Sequence, residues 1–393
     1  MLNSVYNHLL WFLSHDWAGL VLAGAVAGLG LSWLAASRTA AASWANVPAF
    51  AILGFAALLT LGSVIHLTHM ARVAARYPAP GKMVDVGGYR IHLLAEGEAR
   101  GKPTIVWIPG SHDAGFEFHH LHEMLRGEAR SILIDRPGSG WSDIGPFPRT
   151  TSIEAGEVVT ALKNAGERAP FVFVGHSFGG LLAANIARRH PEIVAGVILL
   201  DATPPDALDY SPANPILKQM LRDAATGAVK RLFGIDPAPP SDGIPSFFTQ
   251  SMRNVHQELR VVESGSRSLC ADASIFEELD HGGLGWQTVV YDGDLLDLPV
   301  YLVAPADVPL AEVKALARKM DAMADESDAR DPIDVTRLAR FYGRVRERYM
   351  ASSSKTERIY APPGTGHLFP YERPEFVADV VRRMLREHQS PSH

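Results

Sequence analysis

The first quarter of the chain contains two long apolar runs without a single charged residue. Residues 17–36 contain one hydroxyl, Ser32, and residues 47–65 contain two, Thr60 and Ser63. Each run is close to the ~20 residues that an α-helix needs to cross a hydrocarbon layer of ~30 Å. Because the connection between them is short, the pattern predicts two transmembrane helices that form a hairpin.

Two other interpretations of these runs remain open. Ala40 and Ala42 offer a small-residue cleavage site of the kind that ends a signal peptide. A signal peptide normally begins with basic residues, however, and no Lys or Arg precedes Arg38. Even after cleavage the second run would remain as an anchor. The other interpretation is a buried helical hairpin in a soluble protein.

Basic residues near the two runs predict how the hairpin is oriented. Arg72, Arg76 and Lys82 follow the second run, whereas the connecting loop carries only Arg38. Basic loops tend to stay in the cytoplasm, so we expect the remainder of the chain on the cytoplasmic side of a bacterial-type inner membrane. Residues 66–82 are expected to form a juxtamembrane helix.

From residue 83 onward, short β-rich runs alternate with segments of helical periodicity. Strands are predicted at 84–86, 89–95, 104–108, 131–135, 171–174, 194–200, 300–304 and 358–361, and helices at 116–126, 153–165, 178–189, 310–324, 336–350 and 374–388. Apolar runs such as FVFV and VILLD are typical of central parallel strands covered on both faces. The pattern therefore predicts an α/β fold with a doubly wound, mostly parallel sheet of eight strands.

The alternation is interrupted by a long segment, which we define as the cap, residues 203–298. It is rich in proline at its start, and it is too long for a structureless loop in a compact domain. Helices are predicted near 216–232, 247–264 and 274–279. We therefore expect a membrane segment at 1–82, a core formed by 83–202 and 299–393, and the inserted helical cap.

Charge and cysteine content exclude several classes of partner. The 37 basic and 43 acidic residues give a net charge of -6, which supplies no basic field for nucleic acid. The single Cys270 permits neither an intramolecular disulfide nor a thiolate metal cage. We expect no cofactor and no metal, and we interpret His119, His120 and His122 as the exposed polar face of a helix.

The sequence Gly175-His-Ser-Phe-Gly-Gly180 lies between an apolar strand and a helical segment. In that context G-x-S-x-G is a nucleophile elbow, a turn so tight that its flanks must lack side chains and its serine is exposed above the sheet. The following helix directs N–H groups toward any anion formed there. Ser177 is therefore the predicted nucleophile, and the alternative is a structural serine in a glycine-rich turn.

A serine nucleophile needs a base that takes its proton. His367 is the candidate, because it lies in a loop between the last strand and the final helix. Its alternative role is that of a structural histidine. His176 is adjacent to Ser177, but neighbouring residues of such a turn point apart, so we reject it as the base.

The base in turn needs an acid that fixes its tautomer. Asp307 follows the strand 300–304 and gives the chain order Ser, Asp, His, so it is the preferred candidate. Asp201 ends the strand VILLD at the same kind of strand edge and is the alternative acid. A further acid in the long segment after Asp307 also stays open.

Together with the elbow, the segment Asp135-Arg-Pro-Gly-Ser-Gly-Trp-Ser-Asp143 carries a family resemblance. Residues 83–388 resemble the α/β-hydrolase superfamily, in the capped branch that contains esterases, epoxide hydrolases and haloalkane dehalogenases. The resemblance implies an oxyanion hole made by the N–H groups of Phe178 and Ser111. It also disfavours epoxide and haloalkane hydrolysis, because those members use Asp as the nucleophile.

These residues together lead us to expect a membrane-anchored serine hydrolase. The expected reaction is cleavage of a carboxylic ester, preferably a lipophilic one, through an acyl-enzyme intermediate. Acyl transfer, peptide cleavage or C–C bond hydrolysis would use the same site. The alternative from another class of function is a binding module that has this fold but no catalytic activity. Such a module would be expected to lack a member of the serine, histidine and aspartate triad.

Overall fold

The described part of the chain is an eight-stranded sheet flanked by helices, preceded by a helical N-terminal segment. In a computed structural model the described residues are 2–37, 43–203, 215–235, 267–280, 295–305, 311, 314, 315, 318 and 347–388. The helices are α1 (Leu2–Ser14), α2 (Ala18–Ser37), α3 (Val47–Arg76), α4 (His119–Leu125), α5 (Thr151–Ala165), α6 (Phe178–Arg189), α7 (Pro215–Leu232), α8 (Arg267–Asp280), α9 (Phe369–Glu372) and α10 (Pro374–Glu387).

The sheet confirms the predicted eight-stranded, mostly parallel architecture. Its strands are β1 (Lys82–Asp85), β2 (Arg90–Glu96), β3 (Thr104–Ile108), β4 (Ser131–Ile134), β5 (Phe171–His176), β6 (Val194–Leu200), β7 (Val300–Ala304) and β8 (Thr356–Tyr360). Their order is β1-β2-β4-β3-β5-β6-β7-β8, and only the pairings of β2 with β1 and β4 are antiparallel. The carboxyl ends of β3 to β8 therefore lie along one edge.

The core consists of two apolar layers, one on each face of the sheet. In β5, Phe171 and Phe173 pack on one face, whereas Val172 and Val174 pack on the other. Such alternation follows from the two-residue period of a strand. Because both faces are covered, every residue of β5 and β6 is buried, as the continuous apolar runs predicted.

Helices α2 and α3 coincide with the two predicted apolar spans. Helix α3 continues to Arg76, so the predicted juxtamembrane helix is its last part. Both helices are long and apolar enough to cross a membrane, and only 22% and 17% of their most apolar stretches are buried. A hairpin in the interior of a soluble protein would bury most of this surface. Their exposed apolar residues include Leu29, Phe55 and Leu58.

Helix α1 was not predicted. It precedes the hairpin, and its Leu10 and Leu13 are buried against apolar residues of α7 and α8. The apolar residues of α1 were missed because they adjoin a longer apolar run and contain no turn signal that would separate the two. The N-terminal segment thus contacts the cap as well as forming the hairpin.

The cap contains the described helices α7 and α8. Helix α7 corresponds to the prediction at 216–232, and α8 begins at Arg267, earlier than predicted. The predicted helix 247–264 lies outside the described residues, as do most of those at 310–324 and 336–350. The division into membrane segment, core and cap stays a prediction.

The prediction that the histidines of α4 form an exposed polar face is wrong for His122. His122 is fully buried, with Nδ1 2.9 Å from Ser131 Oγ and Nε2 3.0 Å from the Glu96 carboxylate. Burial lowers the pKa of His122. This histidine therefore has a packing role beneath β4, which a count of polar residues along the helix does not reveal.

Candidate active site

Ser177 lies in the turn between β5 and α6 with a strained backbone. Its φ is +52° and its ψ is -122°, a conformation that residues with a side chain rarely adopt. The turn is tight because its flanks are glycines: a Cβ on Gly175 would overlap the Gly179 carbonyl, and one on Gly179 would overlap the Ile108 carbonyl. This is the geometry that the G-x-S-x-G pattern predicted.

The backbone of Ser177 is hydrogen-bonded to the end of the neighbouring strand β6. Its N–H donates to the Leu200 carbonyl at 3.1 Å, and its carbonyl accepts from the Thr203 N–H at 2.9 Å. Asp201 lies between these two residues. The fold therefore brings a carboxylate next to the turn that carries the serine.

His367 and Asp201 form a hydrogen-bonded pair near the turn that carries Ser177. The His367 ring lies in the loop between β8 and α9, and its Nδ1 is 2.6 Å from Asp201 Oδ2. The side chains are 50% and 28% exposed, so the pair is accessible from solvent. Asp307, the preferred acid in the sequence, lies outside the described residues. Among the described residues, the acid that is hydrogen-bonded to His367 is the alternative candidate, Asp201.

The structure does not join Ser177 and His367 directly. Among the described atoms no hydrogen bond links Ser177 Oγ to the His367 ring. The His367 ring nevertheless stacks near the ring of His176, the residue before Ser177, with centroids 4.6 Å apart. In hydrolytic sites such bonds are often long before substrate binds and shorten in the complex.

His176 has a role that sequence reasoning missed. Its Nε2 is 2.9 Å from the backbone carbonyl of His367, and its Nδ1 is 3.2 Å from the Tyr371 hydroxyl. Burial, together with the nearby His367 ring, lowers the pKa of His176 to about 3, so the imidazole is neutral and its Nε2–H can donate to that carbonyl. We interpret His176 as a residue that positions the His367 loop. Its place beside Ser177 was the only signal in the sequence.

The two residues assigned to the oxyanion hole lie beside the serine. Phe178 is the first residue of α6, where backbone N–H groups have no partner within the helix. Ser111 follows Gly110, on which an added Cβ would lie 3.3 Å from Ser177 Cβ. Within the described part of the chain the Ser111 N–H has no hydrogen-bond partner. As far as the described residues go, both N–H groups are therefore open to an anion.

The buried Arg136 forms ion pairs next to the residues assigned to the oxyanion hole. Arg136 binds Glu154 of α5 at 2.7 Å and Asp272 of α8 at 2.8 Å. Its guanidinium also donates to the Gly110 carbonyl at 3.2 Å and lies 4.4 Å from the centroid of the Phe178 ring. One cation thus contacts the loop before Ser111 and the side chain of Phe178.

Asp272 completes the support from the cap. Its carboxylate accepts the His112 N–H at 3.1 Å, so the Arg136–Asp272 pair contacts the residues on both sides of Ser111. Burial alone would raise the pKa of the Asp272 carboxyl, but the charge of Arg136 and the His112 side chain, whose Nδ1 lies 3.1 Å from Asp272 Oδ2, hold that pKa well below its usual range. The carboxylate therefore stays charged at neutral pH, and it links α8 to the core.

Comparisons with known proteins point to one family. A family model described as "Alpha/beta hydrolase family" matches residues 105–380. An uncharacterized vacuolar membrane protein of Saccharomyces cerevisiae is 28% identical over 186 residues, 40% of this chain and 28% of that protein. Epoxide hydrolase 4 of Mus musculus is 28% identical over 131 residues, 33% of this chain and 36% of that protein. This chain thus spans about a third of each relative.

Solved structures give the same result for the fold. A thermophilic esterase from Thermogutta terrifontis superposes with a TM-score of 0.50 and 19% sequence identity. The match covers 79% of this chain and 98% of the esterase. At this level of identity the likeness concerns the arrangement of strands and helices, not the reaction.

Replacing Asp272 tests whether the buried pair stabilises the fold. Folding lowers the pKa of Asp272 below its unfolded value of about 3.9. The stability that the charged Asp272 adds to the fold is therefore complete at a pH above about 3.9 and is lost as the pH falls below it. We expect Asp272→Asn to lower the free energy of unfolding by about 3 kcal/mol at pH 7. The difference from wild type should shrink toward pH 3. Urea unfolding in detergent, followed by tryptophan fluorescence, measures both.

Asp143→Asn is the matched control, because Asp143 pairs with Arg90 at the surface. Such pairs contribute up to about 1 kcal/mol. Equal losses for the two variants, or a loss in Asp272→Asn that does not change with pH, would contradict the role of the buried pair.

Proposed function

Since the chain belongs to the α/β-hydrolase family, we propose that it is a membrane-anchored serine hydrolase that cleaves carboxylic esters. The observation that carries this proposal is the position of Ser177, on a strained turn that is hydrogen-bonded to Leu200, the last residue of β6, which Asp201 follows. Asp201 in turn binds the ring of His367. A nucleophile, a base and an acid are thereby available at one edge of the sheet.

In the first half of the reaction, Ser177 Oγ attacks the carbonyl carbon of the ester. The Oγ proton moves to His367 Nε2, and the carbonyl oxygen becomes an oxyanion. The imidazolium is stabilised by the Asp201 carboxylate at Nδ1. His367 then returns the proton to the departing alkoxide, so an alcohol leaves and an acyl-enzyme remains.

In the second half, water attacks the acyl-enzyme. His367 takes a proton from the water, and the acyl carbon becomes tetrahedral again. Proton return to Ser177 Oγ releases the carboxylic acid and restores the enzyme. In both halves the N–H groups of Phe178 and Ser111 stabilise the oxyanion, an effect worth about 10²–10³ in kcat for each donor.

The chemistry of the nucleophile favours esters over the other reactions of the family. Alkoxide attack on an acyl carbon gives an acyl-enzyme that water hydrolyses. Opening an epoxide would leave an alkyl ether on Ser177, and water does not cleave such a bond readily. Ser177 therefore supports acyl chemistry.

The two long apolar helices support attachment to a membrane. The relative from yeast is named as a vacuolar membrane protein, which agrees with such attachment. Arg72 and Arg76, at the end of α3, favour a core on the cytoplasmic side. A lipophilic ester is the substrate class that best suits an enzyme held at a lipid surface.

The serine is tested by its removal from the full chain in detergent. We expect Ser177→Ala to lower kcat for p-nitrophenyl butyrate by at least about 10³-fold, because the proposed acyl-enzyme forms on the Ser177 hydroxyl. His367→Ala should show a similar loss. Ser152→Ala, a serine at the start of α5, is the control and should retain activity. Unchanged turnover in Ser177→Ala would reject the proposal. With an added alcohol, a new ester among the products would indicate acyl transfer, whereas the free acid alone would indicate hydrolysis.

The acid is tested by comparing the two candidate aspartates. The hydrogen bond from His367 supports Asp201, so Asp201→Asn should lower kcat by about 10³-fold or more with little change in KM. Asp307→Asn should stay within about threefold of wild type. A large loss confined to Asp307→Asn would assign the acid to Asp307 instead.

A further inference from the structure

Helix α1 contains no charged residue, and one of its sides is packed on the cap. Leu10 and Leu13 are buried in a small apolar cluster. Its other buried members are Ala18, Ala224, Ala228, Leu232, Cys270 and Ala273. At 1.5 Å per residue, α1 is about 20 Å long, which is too short to cross a bilayer.

The opposite side of α1 exposes large apolar residues. Val5 is 64% exposed, Leu9 is 43% exposed and Trp11 is 37% exposed. Val5 and Leu9 lie four residues apart and share one side of the helix. His8 is exposed next to them, and Trp11, three residues after His8, flanks the same surface. On a helix at a water-facing surface this side would be polar or charged. The exposed side of α1 therefore requires an apolar partner.

Aromatic contacts connect this side with the start of the membrane hairpin. The Trp11 and His15 rings lie 4.3 Å apart, and the His15 and Trp17 rings lie 5.2 Å apart. Trp17 is 44% exposed and directly precedes α2, whose Val21 is also exposed. Tryptophan is enriched at the boundary between hydrocarbon and water. Trp11 thus continues the surface on which the hairpin enters the lipid.

A buried charge cluster fixes α1, the hairpin and the cap to one another. The Asp16 carboxylate, between α1 and α2, lies 3.1 Å from His66 Nε2 of α3 and also binds Arg231 of α7 and Arg267 of α8. Arg231 also donates to the Ser14 carbonyl at 3.1 Å. The cap therefore keeps a fixed position relative to the end of the hairpin.

We propose that the exposed side of α1, formed by Val5, Leu9 and Trp11, is a docking surface for the lipid bilayer. The helix lies in the interface, with these side chains among the acyl chains near the headgroups. The bilayer is the occupant because the surface carries no Asp, Glu, Lys or Arg and because its large apolar side chains are continuous with the exposed apolar residues of α2. Docking holds the cap against the membrane, so that a lipophilic ester reaches the site from lipid. This inference rests on the membrane anchoring of the proposed function.

Spin labels on the full chain in nanodiscs of phosphatidylcholine and phosphatidylglycerol test the position of α1. The native Cys270 is fully buried, and burial raises its pKa to about 12, so labels attach to introduced cysteines. The test positions are Val5→Cys and Leu9→Cys. Leu58→Cys in α3 is the reference for lipid, and Glu98→Cys, 82% exposed on the core, is the reference for water.

We expect the labels at positions 5 and 9 to be accessible to oxygen and protected from a water-soluble nickel chelate, as at position 58 but less strongly. Nickel accessibility equal to that at position 98, with position 58 still in lipid, would overturn the docking surface alone. Nickel accessibility at position 58 as well would overturn the membrane anchor and the docking surface together.

Activity gives a second readout that a merely structural role would not produce. Leu9→Glu should reduce turnover of a long-chain ester dissolved in the nanodisc by at least about fivefold. Turnover of p-nitrophenyl butyrate, which reaches the site from water, should stay unchanged. An equal loss with both esters, or no loss with either, would contradict delivery of substrate from the lipid.

Discussion

The strained turn at Ser177 is the constraint on which the site depends. A side-chain-bearing residue with φ near +50° costs about 1–3 kcal/mol, and it persists only where its surroundings leave no alternative. Here the surroundings are two glycines that let the backbones approach closely, and hydrogen bonds of the Ser177 N–H and carbonyl to Leu200, at the end of β6, and to Thr203. The close packing and hydrogen bonds at the end of the sheet therefore offset this strain and keep the Ser177 hydroxyl above the carboxyl edge of the strands.

The remaining groups reach the same edge from separate parts of the chain. His367 comes from the loop after β8, and this loop is bonded to the neutral ring of His176. Ser111 comes from the loop after β3, which the buried Arg136–Asp272 pair contacts on both sides. The cap thus contributes a carboxylate to the support of the core. A change in the position of α8 would disturb the loop that carries Ser111.

Most of the sheet and the turn could be predicted from the sequence, because both depend on local patterns. Continuous apolar runs identify buried parallel strands, and G-x-S-x-G between a strand and a helix identifies the turn at Ser177. The partner of His367 was not predictable in this way. Asp201 and Asp307 both follow a strand end, and only the three-dimensional course of the loop after β8 brings His367 within 2.6 Å of Asp201.

Other features were missed because they depend on contacts between distant segments. Nothing in α1 itself reveals that Leu10 and Leu13 pack on cap helices more than two hundred residues later. Likewise, the burial of His122 follows from its fit against β4 and not from the polarity of its neighbours. Periodicity identifies the element in such cases, but only the tertiary structure determines which of its sides is buried.

The central claim, that Ser177 is a nucleophile activated by His367, is tested most directly by covalent labelling. The full chain is treated with a fluorophosphonate, digested, and mapped by mass spectrometry. The account predicts one phosphonylated peptide, modified at Ser177, and a strong loss of labelling in His367→Ala. Labelling at another serine, or none at all on a protein whose fold is intact, would contradict it.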